Sequence, residues 1–192
     1  SNYVLAATTL NDSQVEDVFA LTWVEGSGRV YTDVQYQGQG YRLGQIYGAT
    51  PNIEHFINMN TLKGDLKVAL RTPNSLALSK FEALRIFGNT NVIGKTLVHE
   101  NGQYTVRAVF ADLPENTHFS FKNLVYVDHD PTNTRDSSSF VYVKLAERAD
   151  PKAYVKKLTE QAITGQDRRD VSLKLVPLLD LHFTAKSMAE LK

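Results

Sequence analysis

Residues 74–121 read NSLALSKFEALRIFGNTNVIGKTLVHENGQYTVRAVFADLPENTHFSF, and their structural signals agree better than those of any other part of the chain. Ser79 followed by Glu82 has the spacing of a helix N-terminal capping box. Gly88 stands where a helix often ends in a left-handed residue. A short strand is predicted directly before this helix, and a β-hairpin after it over residues 96–110. We therefore expect a strand–helix–hairpin unit around which the rest of the chain is arranged.

Length and composition indicate an ordinary globular chain. Its 192 residues predict one medium domain or two small lobes, and 42% of them are hydrophobic. The formal net charge is zero, so the basic excess typical of nucleic-acid binders is missing. Without cysteine the chain has neither disulfides nor thiolate metal sites. No apolar run reaches the roughly 18–20 residues of a membrane span. Because Ser1-Asn2 resembles a cloning scar, we expect an excised piece of a longer protein.

The first fifty residues are expected to hold a strand, a helix and a hairpin. Residues 3–10 are apolar and predict the strand. Ser13 with Glu16 suggests a capping box, and apolar positions spaced as in a helix follow, so a short amphipathic helix is predicted over 15–22. Residues 29–47 alternate in polarity about a Gly/Gln turn, which predicts the hairpin.

The C-terminal part repeats strand and helix signals. Residues 128–139 (DHDPTNTRDSSS) predict a loop, and an alternating strand follows. Asp150-Pro151 is a strong helix start, and Gly165 ends that helix. Residues 171–176 alternate as a last strand. The order of elements predicts an α+β fold with two lobes, one built from both chain ends and one, mostly β with one helix, from the middle.

The glycines at 88 and 94 with Lys95 and Thr96 imitate a phosphate-binding loop. That loop needs four residues between its glycines, whereas five separate this pair. It must also follow a strand and open a helix, so that the helix N-terminus faces the phosphates. This segment follows a helix and opens a strand, so we predict no nucleotide site here.

No catalytic, cofactor-binding or metal-binding residue is predicted. Asp128-His129-Asp130 and Asp180-Leu181-His182 place acids beside imidazoles, but a metal needs three or four converging ligands. The chain has no Gly-x-Ser-x-Gly nucleophile elbow, and helix capping already explains Ser79. A hydrolase with converging Ser, His and Asp remains the least favoured of three functional hypotheses.

Four tyrosines of the hairpin region suggest a second hypothesis, a ligand-binding or sensing module. Their rings could stack on a ligand, with the loop 128–139 completing a recognition surface; they are Tyr31, Tyr36, Tyr41 and Tyr47. Half-buried strand tyrosines with solvated hydroxyls are the more common explanation for such a pattern.

Several motifs together resemble one known family. In order, they are Ser79, Ala83, Phe87-Gly88, Ile93-Gly94-Lys95-Thr96-Leu97, Tyr104-Thr105-Val106, Val109-Phe110 and the run from Asp112 to Phe119. Supporting features are Phe56, Leu62-Lys63-Gly64-Asp65, the strand 140–145, Asp150, Pro177-Leu178 and Asp180-Leu181-His182. Together they look like the periplasmic core domain of MacB/FtsX-type ABC transporter permeases. The resemblance covers most of 56–183. Val92 replaces a usual Pro and Ala108 a common Gly, and the 128–139 segment is short for the family.

The resemblance implies a domain between the first two transmembrane helices of a permease, on the periplasmic side of the inner membrane. Residues 1–55 and 138–192 would form a membrane-proximal, porter-like α/β lobe, and 56–137 an inserted distal lobe. The domain would transmit ATP-driven conformational change to the periplasm for export or extraction of a substrate. Implied partners are a second permease protomer, a cytoplasmic ABC ATPase, and a periplasmic adaptor or outer-membrane component. It would not be an enzyme, because ATP hydrolysis belongs to a separate subunit or domain.

Overall fold

The computed structural model describes residues 12–23, 31–44, 46–114, 117, 119–127 and 139–165. Ten strands dominate this part of the chain: β1 (Val15–Trp23), β2 (Tyr31–Tyr36), β3 (Gln39–Gly44), β4 (Ile46–Ala49), β5 (Thr61–Gly64), β6 (Ser75–Ser79), β7 (Thr96–His99), β8 (Gly102–Phe110), β9 (Asn123–Val125) and β10 (Ser139–Leu145). Its helices are α1 (Leu66–Ala69), α2 (Lys80–Phe87) and α3 (Pro151–Gly165), with a 3-10 turn at Ile53–His55. This content confirms the predicted α+β class.

The strands form one mixed sheet in the order β10-β1-β4-β9-β6-β8-β7-β2-β3, with β5 beside β8. Two pairings are parallel, β4 with β9 and β6 with β8, and the others are antiparallel. Strands that are distant in sequence therefore become neighbours. The first and last strands pair directly over seven positions, from Val15 opposite Leu145 to Thr22 opposite Ser139.

The central strand β6 is buried on both faces, because a hydrophobic cluster covers each side of the sheet there. Ala77 faces one hydrophobic cluster, which also contains Phe19, Phe110 and the apolar residues of α1. Leu76 and Leu78 face the other cluster, where Ala83 and Ile86 of α2 pack against the sheet. The sheet thus carries a core on each face, and α2 covers one of them.

The helix predicted over 15–22 is wrong. These residues form β1, which pairs with β10 on one side and with β4 on the other. Five consecutive residues, 18–22, are buried. That run suits a strand covered on both faces, whereas an amphipathic helix would keep one side in water. The supposed N-cap region instead forms a turn in which Asp12 accepts a hydrogen bond from the Gln14 amide at 3.0 Å.

Other predictions of local structure are confirmed. The hairpin exists as β2 and β3, but its turn has only two residues, Gln37-Gly38, and its second strand ends at Gly44. The residues from Ile46 onward, predicted as part of that strand, instead begin β4. The capped helix exists as α2, and α3 begins at Pro151 and ends at Gly165. The strands predicted at 3–10 and 171–176, and nearly all of the 128–139 loop, lie outside the described residues. The division into two lobes stays a prediction.

None of the helices in the described part of the chain is both long enough and apolar enough to span a membrane.

Candidate functional site

The beginning of α2 is where the family motifs converge. The Ser79 hydroxyl accepts a hydrogen bond from the Glu82 amide at 3.3 Å, which is the serine half of the predicted capping box. The other half does not form, because the Ser79 amide donates to the Lys122 carbonyl at 2.8 Å and the Glu82 carboxylate binds Arg85. A second acceptor comes from the Asp-Leu-Pro turn, because Asp112 Oδ1 accepts from the Phe81 amide at 2.9 Å. Two of the free amides at this helix end are therefore satisfied by side chains from two different motifs. Ser79 and Asp112 are far apart in the sequence, but both bind the N-terminus of α2.

The loop from Gly88 to Thr96, whose sequence imitates a phosphate-binding loop, ends helix α2 and leads into strand β7. Gly88 adopts a left-handed conformation with φ of 72° and ends α2. Lys95, which would have to meet a phosphate, donates to the Tyr36 hydroxyl at 2.8 Å. Its ammonium also lies 5.9 Å from the centre of the Phe87 ring. The lysine therefore ties the loop to β2, and the backbone passes from helix to strand as the sequence indicated.

The two motif departures fit the packing. Val92 is fully buried in the cluster beneath α2. Ala108 is fully buried in the other cluster and lies opposite Gly64 in the ladder between β5 and β8. Ala108 thus adds one buried methyl group where a glycine has none, while Val92 keeps a buried apolar side chain with as many carbon atoms as a proline.

An ion pair on α2 is the best-buried pair of opposite charges in the described part of the chain. Arg85 Nη2 lies 2.6 Å from Glu82 Oε2, and Arg85 Nε contacts the same carboxylate at 3.2 Å. The Glu82 side chain is buried and that of Arg85 is one-third exposed. Arg85 also donates to the backbone carbonyl of Arg42 in β3 at 2.8 Å. The pair therefore links helix α2 to the last strand of the sheet.

The hairpin tyrosines do not form a shared stacking face. Tyr47 is buried in the cluster that contains Phe19, whereas Tyr36 and Tyr41 pack against the cluster beneath α2. Tyr31 carries the Arg42 guanidinium 3.7 Å above its ring. The four tyrosines therefore pack in different surroundings, so their alternation along the strands reflects packing and not a shared ligand surface.

Tyr142 lies in an aromatic group that changes its acidity. Tyr142 of β10 stacks on Phe19 at a centroid distance of 5.5 Å and contacts Phe119 at 5.3 Å. Burial in this group, with the nearby Tyr47 as a lesser cause, raises the pKa of Tyr142 to about 12. The ring contacts with Phe19 and Phe119 show Tyr142 as a packing residue of this aromatic group.

An open groove lies on the outer face of β2, β3 and β7. It encloses about 790 Å³. Val98, which is 51% exposed, contributes apolar surface, and the Arg42–Asp33 ion pair of 2.9 Å contributes charge. The full lining is Asp33, Val34, Gln35, Gly40, Tyr41, Arg42, Val98, His99 and Glu100. A groove of this size and mixed polarity can admit a small ligand or an extended peptide segment.

The two described histidines have structural partners. His55 Nδ1 lies 2.7 Å from Asp17 Oδ2, while Asn52 donates to the other oxygen of that carboxylate at 2.7 Å. His99 stacks on Tyr104 with a centroid distance of 4.4 Å. Its Nδ1 accepts from the Asn101 amide at 3.3 Å, and burial lowers the pKa of its imidazole.

Within the described ranges, no group of three or more His, Asp or Glu residues is placed to hold a metal ion. The sequence motifs around His129 and His182 lie outside those ranges, as does His118. The capping role of Ser79 is the one seen in the structure.

Comparison with known proteins identifies the family. A family model described as the MacB-like periplasmic core domain matches residues 2–161. The chain belongs to this family. The start of α2 lies within the matched residues. No curated protein matches this MacB-like chain significantly.

Solved structures with the same fold agree with this membership. A domain of a protein described as a permease from Porphyromonas gingivalis has a TM-score of 0.70 and 20% identity, over 92% of this chain and 87% of that one. The periplasmic region of MacB from Actinobacillus actinomycetemcomitans has a TM-score of 0.64 and 16% identity, over 98% and 82%. The extracellular domain of the noncanonic ABC-type transporter YknZ from Gram-positive bacteria has a TM-score of 0.62 and 16% identity, over 86% and 82%. Because these three chains are only 16–20% identical to this one, their similarity shows a shared fold alone.

Sequence reasoning did not find the link from Arg85 to β3. The spacing of Glu82 and Arg85 on one helix allows an ion pair. Nothing in the sequence, however, indicates that the guanidinium reaches a carbonyl 43 positions away.

Proposed function

We propose that this chain is the extracytoplasmic domain of an ABC transporter permease of the inner membrane, and that it carries ATP-driven conformational change into the periplasm. The work done there would be export or extraction of a substrate. Membership in the MacB-like periplasmic core domain family supports the part of this proposal that concerns a permease domain. ATP hydrolysis would occur on a cytoplasmic ABC subunit or domain, reached through transmembrane segments. A second permease protomer and a periplasmic adaptor or outer-membrane component would complete the assembly.

The observation that carries the proposal is the pairing of β1 with β10. Val15, the first residue of β1, lies opposite Leu145, the last residue of β10, and α3 follows β10. A domain inserted between two transmembrane helices must return its chain close to the point of entry. The β1–β10 pair meets that requirement and would receive movement from both helices together.

The lobe boundaries form part of the proposal. Residues 1–55 and 138–192 would lie near the membrane and 56–137 farther out. The pairing of β2 with β7 joins residues of the two proposed lobes within one sheet. A movement delivered at β1 and β10 would therefore pass through a continuous hydrogen-bonded sheet, which favours rigid-body displacement over bending within it.

These 192 residues contain no cysteine, so a test by cysteine labelling needs only the replacement of any cysteines in the rest of the permease. A single cysteine replaces the exposed Gln103 in the full-length permease, and intact cells are treated with a maleimide that reaches the periplasm but not the cytoplasm. We expect labelling without lysis. Labelling that requires lysis would place the domain in the cytoplasm and overturn the proposal. Electron–electron distances between spin labels at this site in two protomers, with and without ATP, then test the transmitted movement.

A ligand-binding or sensing module is the second candidate, favoured by the groove beside the hairpin. A ligand that binds the folded state raises the unfolding temperature by mass action. A thermal-shift series with peptides and phospholipid vesicles should show a rise that Val98→Arg abolishes. No rise with either class would remove this candidate.

A further inference from the structure

Strands β3 and β4 follow each other in the chain but lie far apart in the sheet. Only residue 45 separates them, yet β3 is the last strand in the sheet order and β4 is the third from the other end. The sheet must therefore curl to bring β3 back beside β4. Helix α2 lies inside this curl, because Ala83 and Ile86 belong to an apolar cluster with residues from all seven strands between β4 and β3. The strand residues are Ile46, Val125, Leu76, Leu78, Val106, Val109, Leu97, Val34 and Leu43.

Side chains bridge the seam between β3 and the β4–β9 pair. In the part of the chain that the structure describes, β3 has a backbone ladder with β2 alone. The Gly44 carbonyl accepts a hydrogen bond from Asn123 Nδ2 at 2.6 Å, and Asn123 is a fully buried residue of β9 whose backbone pairs with Ile46 of β4. The Arg42 carbonyl accepts from Arg85 Nη2 at 2.8 Å. Two side-chain donors thus close the ring of strands at this seam.

The β2–β3 hairpin is joined more firmly within itself than to the rest of the sheet. Its two strands pair with each other at six positions, whereas β2 pairs with β7 at only two, through Val34 and Gln35. At the tip of the hairpin, the Tyr36 hydroxyl accepts from Lys95 Nζ at 2.8 Å. Few backbone hydrogen bonds therefore have to break for the hairpin to leave the sheet, as is typical of a segment that opens below the global unfolding free energy.

We propose that the β2–β3 hairpin, residues 31–44, is a flap that opens as one unit from α2. Its latch consists of Arg85, Asn123 and Lys95, the three side chains that donate to it from the rest of the domain. The buried Glu82 carboxylate orients Arg85, because it binds both Nε and Nη2 of the guanidinium. A charged donor held in this way makes a strong hydrogen bond, so Arg85 contributes most to the latch.

Opening of the flap uncovers an apolar surface that the closed domain hides. Val34 and Leu43 are 2% and 0% exposed, and both belong to the cluster that surrounds α2. Strands β10 and β1 lie at the opposite end of the sheet order, so their pairing stays intact when the flap opens. The flap is a movement within the domain and is independent of the transport proposal.

The test measures thiol labelling of single cysteines in the 192-residue chain, which has none of its own. Val34→Cys places a thiol on the flap. Val109→Cys is the matched control, since Val109 is buried in the same cluster but lies in the part of β8 that pairs with β6 and β5. When reclosing outpaces labelling, each rate reports the population of the open form. We expect position 34 to react at least about tenfold faster than position 109. Equal rates, which global unfolding alone would produce, refute the flap.

A substitution outside the flap separates local opening from global unfolding. Gly88 ends α2 with a φ of 72°, so Gly88→Ala strains the closed domain and the flap-open domain alike. It should raise labelling at position 109 roughly fivefold, through global unfolding, and change labelling at position 34 by less than about twofold. A similar rise at both positions would contradict a flap that opens by itself.

Arg85→Met tests the latch in the Val34→Cys chain. It removes one charged hydrogen bond that exists only in the closed form, so labelling at position 34 should rise about tenfold or more. Lys80→Met removes a positive charge from an exposed position of the same helix and should leave that rate unchanged. The latch is refuted if the two variants label position 34 equally fast.

A second variant decides if Arg85→Met does not fold. Tyr36→Phe removes only the hydroxyl that binds Lys95 and keeps the ring, whose centre lies 4.6 Å from that of Phe87. Labelling at position 34 must then exceed that of Lys80→Met, because the closed flap has lost one of its three donors. Equal labelling in these two variants overturns the latch.

Discussion

Replacing Gly64 with alanine should destabilise this domain far more than replacing Gly88, although both glycines have a φ of 72°. A Cβ at Gly88 would meet nothing within 4 Å. A Cβ at Gly64 would lie 2.0 Å from the backbone carbonyl oxygen of Arg107 and 2.8 Å from Ile93 Cδ1. Comparing the two alanine variants therefore separates two losses of unfolding free energy. Both variants place alanine in a left-handed conformation, but only Gly64→Ala also brings a Cβ against a backbone carbonyl.

The two costs can be worked out in turn. A left-handed conformation costs a non-glycine residue about 1–2 kcal/mol. The smaller entropy of the unfolded alanine chain offsets roughly 0.4–1 kcal/mol of this. Gly88→Ala should thus lose about 1 kcal/mol of unfolding free energy.

Gly64→Ala carries the same cost and a second one. Relief of the 2.0 Å contact requires β5 to move from β8 by more than 1 Å, because ordinary contacts begin at 3.4 Å. That movement breaks the bond from the Asp65 amide to the Arg107 carbonyl, now 3.1 Å, and disturbs the pairing of Gly64 with Ala108. At about 1 kcal/mol for each of two hydrogen bonds, the total loss is about 3 kcal/mol.

Urea and thermal unfolding followed by circular dichroism measure both variants. For a chain of this size, Gly88→Ala should lower the melting temperature by about 2–4 °C and Gly64→Ala by about 6–12 °C. Equal losses in the two variants would refute the reasoning, because they would mean that the Arg107 carbonyl imposes no steric limit.

Two further predictions concern α2 and the β7–β8 turn. Ser79→Ala should lose about 1 kcal/mol in urea unfolding, because the Glu82 amide loses its acceptor, while Ser79→Thr keeps one; equal losses would argue against capping. His99 has a lowered pKa through burial, so the unfolded chain binds more protons just below its ordinary value of 6.5. Stability should fall as the pH drops from about 7 toward 5, and His99→Gln should flatten this slope; an unchanged slope would exclude His99 as its source.

Local chemistry predicted the middle of the chain well. The residues that cap α2, stop it and turn the β7–β8 hairpin act within a few positions of themselves, so their spacing is readable without the fold. The ordered series of motifs also indicated the family, and the family comparison confirms that identification. The false phosphate loop could be rejected on spacing and direction alone.

The prediction for residues 15–22 failed because its signal was ambiguous. Val15, Val18, Phe19 and Thr22 satisfy a helical period, but a strand buried on both faces also reads as a continuous apolar run. Only the pairing with β10 and β4 decides between them. Both partner strands are distant from β1 in the sequence, so no pattern within residues 15–22 predicts the pairing.

By itself the sequence determined the α+β class, the capped helix α2, the β2–β3 hairpin and the family, because each depends on neighbouring residues or on an ordered motif series. Tertiary structure alone decided that β1 pairs with β10, that the hairpin tyrosines separate into different environments, and that Arg85 reaches the carbonyl of Arg42. These contacts join segments tens of residues apart. Their geometry follows from how the strands order themselves in one sheet, and strand order is set by burial across the whole chain.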